Sequence, residues 1–353
     1  MSKKDLRPTL EDIANEIQIS RTTIYKVINN KGFVSPKTRE TILEALEKYN
    51  YVPNNNARNL ALNRCYILAL IDFESADAAY FAPIIEKGIQ KALRIYKDHG
   101  LIIRHYTSGI DNPKQQLEYI QNALDSGIRD FIISAADISL IAPVLDKLKD
   151  AGCTTILLSK DIPSASYDSF IGIDEYKSGL LAGEVLGKMI PAGGNIQVLV
   201  ANESHSNRHA NQARLCGFLD QIKLFPLINV LPLANHLSSP KSIEDAITES
   251  LVDTKLAGIF DLTYRLDLIC KILHQKNKTD ITLVGMDLFP EINSYISDHT
   301  INAVIFQNLE NQTYLACKLL FENMCYGKKI LKTKNYSKLE IVMHQNLEYY
   351  LDS

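Results

Sequence analysis

A chain of 353 residues is long for one hydrophobic core, and 46% hydrophobic with 22% charged residues excludes a disordered or fibrous class. No run approaches the roughly 18–20 apolar residues of a membrane span, and none follows the basic start MSKKDLRPTL, so a cytoplasmic protein without a membrane partner is expected. The net charge of −3 is uneven: residues 1–63 hold ten Lys and Arg against seven Asp and Glu, leaving 28 against 34 beyond, a basic head that suits a polyanion.

The head, RPTLEDIANEIQISRTTIYKVIN, reads as two short helices and a tight turn. Thr9 can cap the first, with Asp12 three residues on and Leu10, Ile13, Ala14 and Ile17 on one face. Ser20 can cap the second, whose apolar face is Ile24, Val27 and Ile28. That is helix-turn-helix spacing, in which the second helix can enter a major groove. Its exposed face is Arg21, Thr22, Tyr25, Lys26 and Asn29, with Thr23 in the first turn: arginine and lysine donate to guanine, threonine meets thymine methyls, and hydroxyls hold phosphate. A third helix follows in FVSPKTRETILEALEKYNY, capped by Ser35 with Pro36 in its first turn. The next segment, VPNNNARNLALN, is too short to be helical alone in water.

The stretch TLEDIANEIQISRTTIYKVINNKGFVSPKTRETILEALEKYNYVPN resembles the DNA-binding headpiece of the lactose/galactose-repressor (LacI/GalR) family of bacterial transcription regulators. Two departures stand out. Gln18 occupies a turn position where the family usually has glycine, and a left-handed backbone there costs a non-glycine residue roughly 1 kcal/mol. Lys26 replaces an arginine, exchanging a planar fork for a point charge. The resemblance implies double-stranded DNA with a pseudo-palindromic operator as partner, read by a homodimer through Thr9, Ser20, Arg21, Thr22, Thr23, Tyr25, Lys26 and Asn29. It further implies a hinge helix that orders on the minor groove, with Asn54, Ala57 and Leu60 at the DNA and Leu60 as the wedge.

From Tyr66 onward, short β-branched runs alternate with amphipathic helices: YILALID, LIIRHY, DFIIS and TTILLS, then NIQVLV, LAGIFD, TLVGMD and NAVIF. This is the pattern of parallel doubly wound sheets in two lobes, where ligands bind beyond the carboxyl ends of the strands. The body resembles the family's effector domain, with the type I periplasmic-binding-protein fold, nearest its ribose-binding branch. The expected fold class is therefore an all-α headpiece followed by an α/β two-lobed domain. The expected domains are a headpiece at 1–52, a hinge at 53–64 and the effector domain at 65–353. Within it, lobe 1 is expected at 65–162 plus 290–322 and lobe 2 at 163–289 plus 323–345.

The resemblance places the effector on Phe81 as an aromatic platform, Asp137 and Asp287 as hydroxyl acceptors, and Gln307. Gln212 stands where the family commonly has a gripping arginine, for which Arg208 or Arg214 can substitute. Thr263 and Tyr264 replace a usual Asn-Asp, and Lys160 follows TTILLS at the cleft. A small-molecule effector, a sugar or sugar derivative, is expected. His205 and His209 have the i, i+4 spacing of metal ligands, but no third ligand accompanies them. Six scattered cysteines without a CxxC pair fit neither a zinc site nor a disulfide frame, so no cofactor or metal is expected. No D-x-G-x-T phosphate loop of an attached sugar kinase is present, so the chain is read as a regulator rather than an enzyme. Control by a protein partner through a degenerate pocket is the alternative. Induction or co-repression, and dimer or tetramer, do not follow from sequence, although no leucine heptad follows LEYYLDS.

Overall fold

The computed structural model describes residues 9–28, 32–49, 51, 64–74, 80–201 and 208–351. The chain divides into two compact units, residues 1–63 and 64–353. Asn29, Asn54, Ala57, Leu60 and the side chain of Arg208 lie outside the described residues, as does His205.

In the first unit, α1 (Leu10–Glu16) opens with the expected capping box: the Thr9 Oγ1 accepts from the Asp12 amide at 3.2 Å, and the Thr9 amide donates to Asp12 at 2.8 Å. α2 (Arg21–Ile28) starts behind Ser20, whose hydroxyl accepts from the Thr23 amide, and α3 (Pro36–Lys48) behind Ser35. Ile13, Ala14, Ile24, Val27, Ile42 and Ala45 close a small core. The tight turn depends on Gln18 taking φ 53°, the left-handed conformation that glycine adopts without strain.

The second unit holds two sheets. The first has the order β12-β5-β4-β3-β1-β2, all parallel, from β1 (Tyr66–Glu74), β2 (Leu101–Gly109), β3 (Asp130–Ile133), β4 (Thr154–Leu158), β5 (Ser169–Gly172) and β12 (Lys334–Tyr336). The second has the order β13-β11-β10-β9-β6-β7, with β8 also on β6. Its strands are β6 (Gly194–Ala201), β7 (Ile228–Val230), β8 (Ala234–Leu237), β9 (Leu256–Leu262), β10 (Thr282–Met286), β11 (Ala303–Phe306) and the antiparallel β13 (Glu340–Val342).

Both sheets are covered on two faces, which is why their strands are continuous apolar runs rather than alternating ones. On β1, Leu68 and Leu70 meet α4 (Phe81–Tyr96) and the long helix Leu309–Tyr326, whereas Ala69 and Ile71 meet α5 (Lys114–Asp125) and α6 (Ile138–Asp150). In lobe 2, α7 (Glu175–Met189) and α8 (Arg208–Ile222) cover one face, and α9 (Pro240–Ser250) and α10 (Leu266–Gln275) the other. α7 and α8 touch backbone to backbone. A Cβ on Gly179 would fall 1.9 Å from the Arg214 carbonyl oxygen, and one on Gly217 would fall 2.0 Å from that of Tyr176. The contact sets Glu175 and Arg214 side by side.

The chain passes between lobes three times, after β5, after β11 and between β12 and β13. These crossings differ from the expected breaks at 162/163, 289/290 and 322/323. β5 completes the first sheet and β11 the second, while the helix Leu309–Tyr326 packs wholly on lobe 1. Strands of three or four residues such as SFIG and KNY are too short to show a period, so only their hydrogen bonding reveals which sheet they join.

Candidate functional site

At the carboxyl ends of the strands, the two lobes enclose a cavity of about 320 Å³. Phe73, Phe81, Ile85, Ile110, Leu237, Ile243 and Leu309 give it apolar walls, and Ser134, Ser159, Lys160, Glu175, Asn211, Arg214, Thr263, Tyr264, Arg265 and Gln307 give it polar groups. Few polar groups converging on an apolar enclosure is the general form of a small-molecule site. Ser159 and Tyr264 in its lining, Asp287 behind it and Asn308 beside Gln307 all take positive φ, from 54° to 66°. Such backbone costs on the order of 1–3 kcal/mol each and collects at functional sites.

Arg214 organises the lobe-2 wall. Its Nε donates to Glu175 at 2.6 Å and its Nη1 to Asn211 at 3.0 Å and to the Tyr264 hydroxyl. The guanidinium is almost wholly buried; burial works against its charge, but Glu175, Tyr264 and Asp287 outweigh it, so its pKa is raised. Burial pushes the Glu175 carboxyl up, with Arg214 pulling it back. Asp287 is pushed up to about 6 by burial, opposed by Arg214 and by Gln307, whose amide donates to it at 2.7 Å. Asp261 also rises to about 6 through burial, although the Thr263 hydroxyl and amide both donate to its Oδ1. Its Oδ2 is buried without a hydrogen bond among the described residues.

Of the effector residues expected from sequence, Phe81, Lys160, Thr263 and Gln307 line this cavity. The others do not. Gln212 is exposed on the far side of α8, two residues before Arg214, which turns inward instead. Asp137 caps α6, accepting from the Ser139 amide at 2.8 Å. Asp287 sits behind Gln307 and reaches the cavity through it. Glu175, Asn211 and Tyr264 were not singled out as ligands. The first follows Asp174 at the start of an ordinary amphipathic helix, and only the helix contact just described aims it inward. Lys160 donates to the Ala135 carbonyl at 3.2 Å and lies 4.0 Å from the centre of the Phe73 ring.

In the headpiece, Arg21, Thr22, Tyr25 and Lys26 are exposed together on α2, while Ile24 and Val27 are buried beneath them. Thr23 is half-buried and its hydroxyl lies 2.9 Å from that of Ser20. Thr9 is exposed and committed to its capping box. The Arg21 Nη1 stands 3.4 Å from Glu11, an exposed pair too weak to hold it against a phosphate or base. No group of His, Cys, Asp and Glu among the described residues is arranged to hold a metal, and no helix among them is long and apolar enough to cross a membrane.

Comparison with known proteins matches residues 9–54 to the model of bacterial regulatory proteins of the lacI family, and residues 72–329 to a periplasmic binding protein domain. The sucrose operon repressor of Pediococcus pentosaceus is 26% identical over 345 residues, 93% of this chain and 96% of that one. Catabolite control protein A of Priestia megaterium is 23% identical over 283 residues, 79% of this chain and 74% of its own. Among solved structures, a LacI-type transcriptional regulator from Bacteroides fragilis superposes with a TM-score of 0.72 at 18% identity, over 81% of this chain and all of that one, which supports the fold.

Proposed function

The chain belongs to the lacI family of bacterial regulatory proteins, and from that premise we propose that it is a transcriptional repressor whose grip on its operator is set by a sugar in the cleft of residues 64–353. The observation that carries this reading is the pairing, within one chain, of an exposed base-reading face on α2 with an enclosed polar cavity at the strand ends. The likeness to a sucrose operon repressor supports a carbohydrate as the effector and a regulator rather than an enzyme.

One headpiece reads one half-site, so a pseudo-palindromic operator calls for a homodimer. Arg21, Thr22 and Lys26 reach base edges, Tyr25 and Ser20 hold phosphate, and Leu60 in the hinge wedges the minor groove. A sugar that alters how the lobes lie against each other alters the spacing of the two hinges, and operator affinity shifts by a coupling energy of about 1–3 kcal/mol, or roughly 5- to 150-fold. The test is fluorescence anisotropy of the full chain on operator candidates from its own promoter region, with and without sugars. Salt-resistant preference for one palindrome, shifted at least fivefold by a sugar, is the expected result. Binding that never exceeds bulk competitor removes the reading, and specific binding that no sugar moves transfers control to a protein partner.

A further inference from the structure

The hydrogen bonding of the lobe-2 wall carries the reading above one step further, from a sugar to the charge of that sugar. Arg214 and Glu175 form a nearly buried pair, and each has one polar atom left over. Nε and Nη1 of Arg214 are occupied by Glu175, Asn211 and Tyr264, while Nη2 donates to no described residue. Glu175 uses Oε2 on Arg214, and its Oε1 accepts from none of the described residues. Neither atom is among the sealed, unpartnered ones, and both residues line the cavity. The wall therefore offers one donor and one acceptor next to each other, fixed by the contact of α7 with α8.

We propose that the effector is an uncharged carbohydrate that lays two neighbouring hydroxyls on this pair, one oxygen accepting from Nη2 of Arg214 and one hydroxyl donating to Oε1 of Glu175. The proposal rests on the sugar-responsive reading and deepens it. A neutral diol supplies both complements without altering the charge balance. A phosphate or carboxylate would meet the Glu175 oxygen at close range, and an ammonium would meet the Arg214 nitrogen. In a site with little water, a third charge that lacks its own partner costs several kcal/mol. The other lining cations do not reverse this. Lys160 is held on the Ala135 carbonyl and the Phe73 ring, and Arg265 Nε stands 3.4 Å from Asp267.

The test is isothermal titration calorimetry of the full chain with charge-matched probes. Neutral D-glucose, D-fructose, D-ribose and sucrose are compared with glucose 6-phosphate, fructose 6-phosphate, glucuronate and glucosamine. At least one neutral sugar should bind at least tenfold more tightly than every charged probe. A charged probe that binds more tightly, or no binding by any neutral one, overturns the proposal. In Glu175→Gln the neutral sugar should lose about tenfold while glucuronate gains, because the guanidinium is then uncompensated; an unchanged ratio of the two overturns it. Glu175→Asp keeps the charge but withdraws the oxygen, so it should weaken the neutral sugar yet still reject glucuronate, and it stands in if Glu175→Gln does not fold. Loss of operator recognition would count against the regulator reading alone, since these titrations are made without DNA.

Discussion

Asp261 is an acid placed where its charge is least welcome: fully buried, with one oxygen served by Thr263 and the other by nothing among the described residues. Its carboxyl is raised to about 6, from an ordinary value of 3.8. The folded state then holds a proton that the unfolded state has released, so the stability that Asp261 contributes is complete below about pH 4 and is lost as pH climbs through 6. Asp261→Asn keeps an acceptor for Thr263 and removes the titration. Its stability relative to the parent should grow by on the order of 1–3 kcal/mol between pH 4 and 7, read from urea denaturation at each pH. A constant difference across that range would show that Asp261 does not titrate there. Gln18 is the other residue of note, because its positive φ bears out the strain expected where a relative would carry glycine.

α2 has a division of labour that can be checked base by base. Ile24 and Val27 anchor it in the head's core, leaving Arg21, Thr22, Tyr25 and Lys26 to solvent. Arg21→Ala and Thr22→Ala should change which bases are preferred in a randomised half-site, each by about 1–3 kcal/mol at one position. Lys26→Ala should lower affinity more evenly and flatten its salt dependence, as loss of a point charge does. If Arg21→Ala lowers all sites alike, its contact is with phosphate. The expected helices and caps of the head all appear because each depends on residues three or four positions apart, which is the range at which sequence speaks directly. Arg214 shows where that range ends. It and Gln212 are separated by two residues, about 200° around a helix, and the registers of an ordinary amphipathic pattern do not say which of them faces a cavity.

At the scale of the whole effector unit, aromatic rings join the lobes. Tyr80, at the start of α4 in lobe 1, stacks on Phe289 of lobe 2 at 4.2 Å and 17°, and Phe81 meets Tyr264 edge-on at 5.8 Å. Contacts of this kind contribute roughly 0.5–1.5 kcal/mol beyond the area they cover. Tyr80→Ala should therefore enlarge the radius of gyration in small-angle scattering and weaken the effector roughly 2- to 10-fold. Unchanged scattering and unchanged affinity would mean that the rings merely fill space.

By itself the sequence determined the headpiece, its caps, its exposed reading face and the alternation that makes two parallel sheets, because all of these rest on near neighbours and on period. The tertiary structure alone decided where the chain changes lobe and which side chains converge. Glu175, Arg214, Tyr264 and Gln307 come from elements that have no local relation to one another. They meet because two helices approach through glycine and because short edge strands choose their sheet by hydrogen bonding, and neither event leaves a period behind.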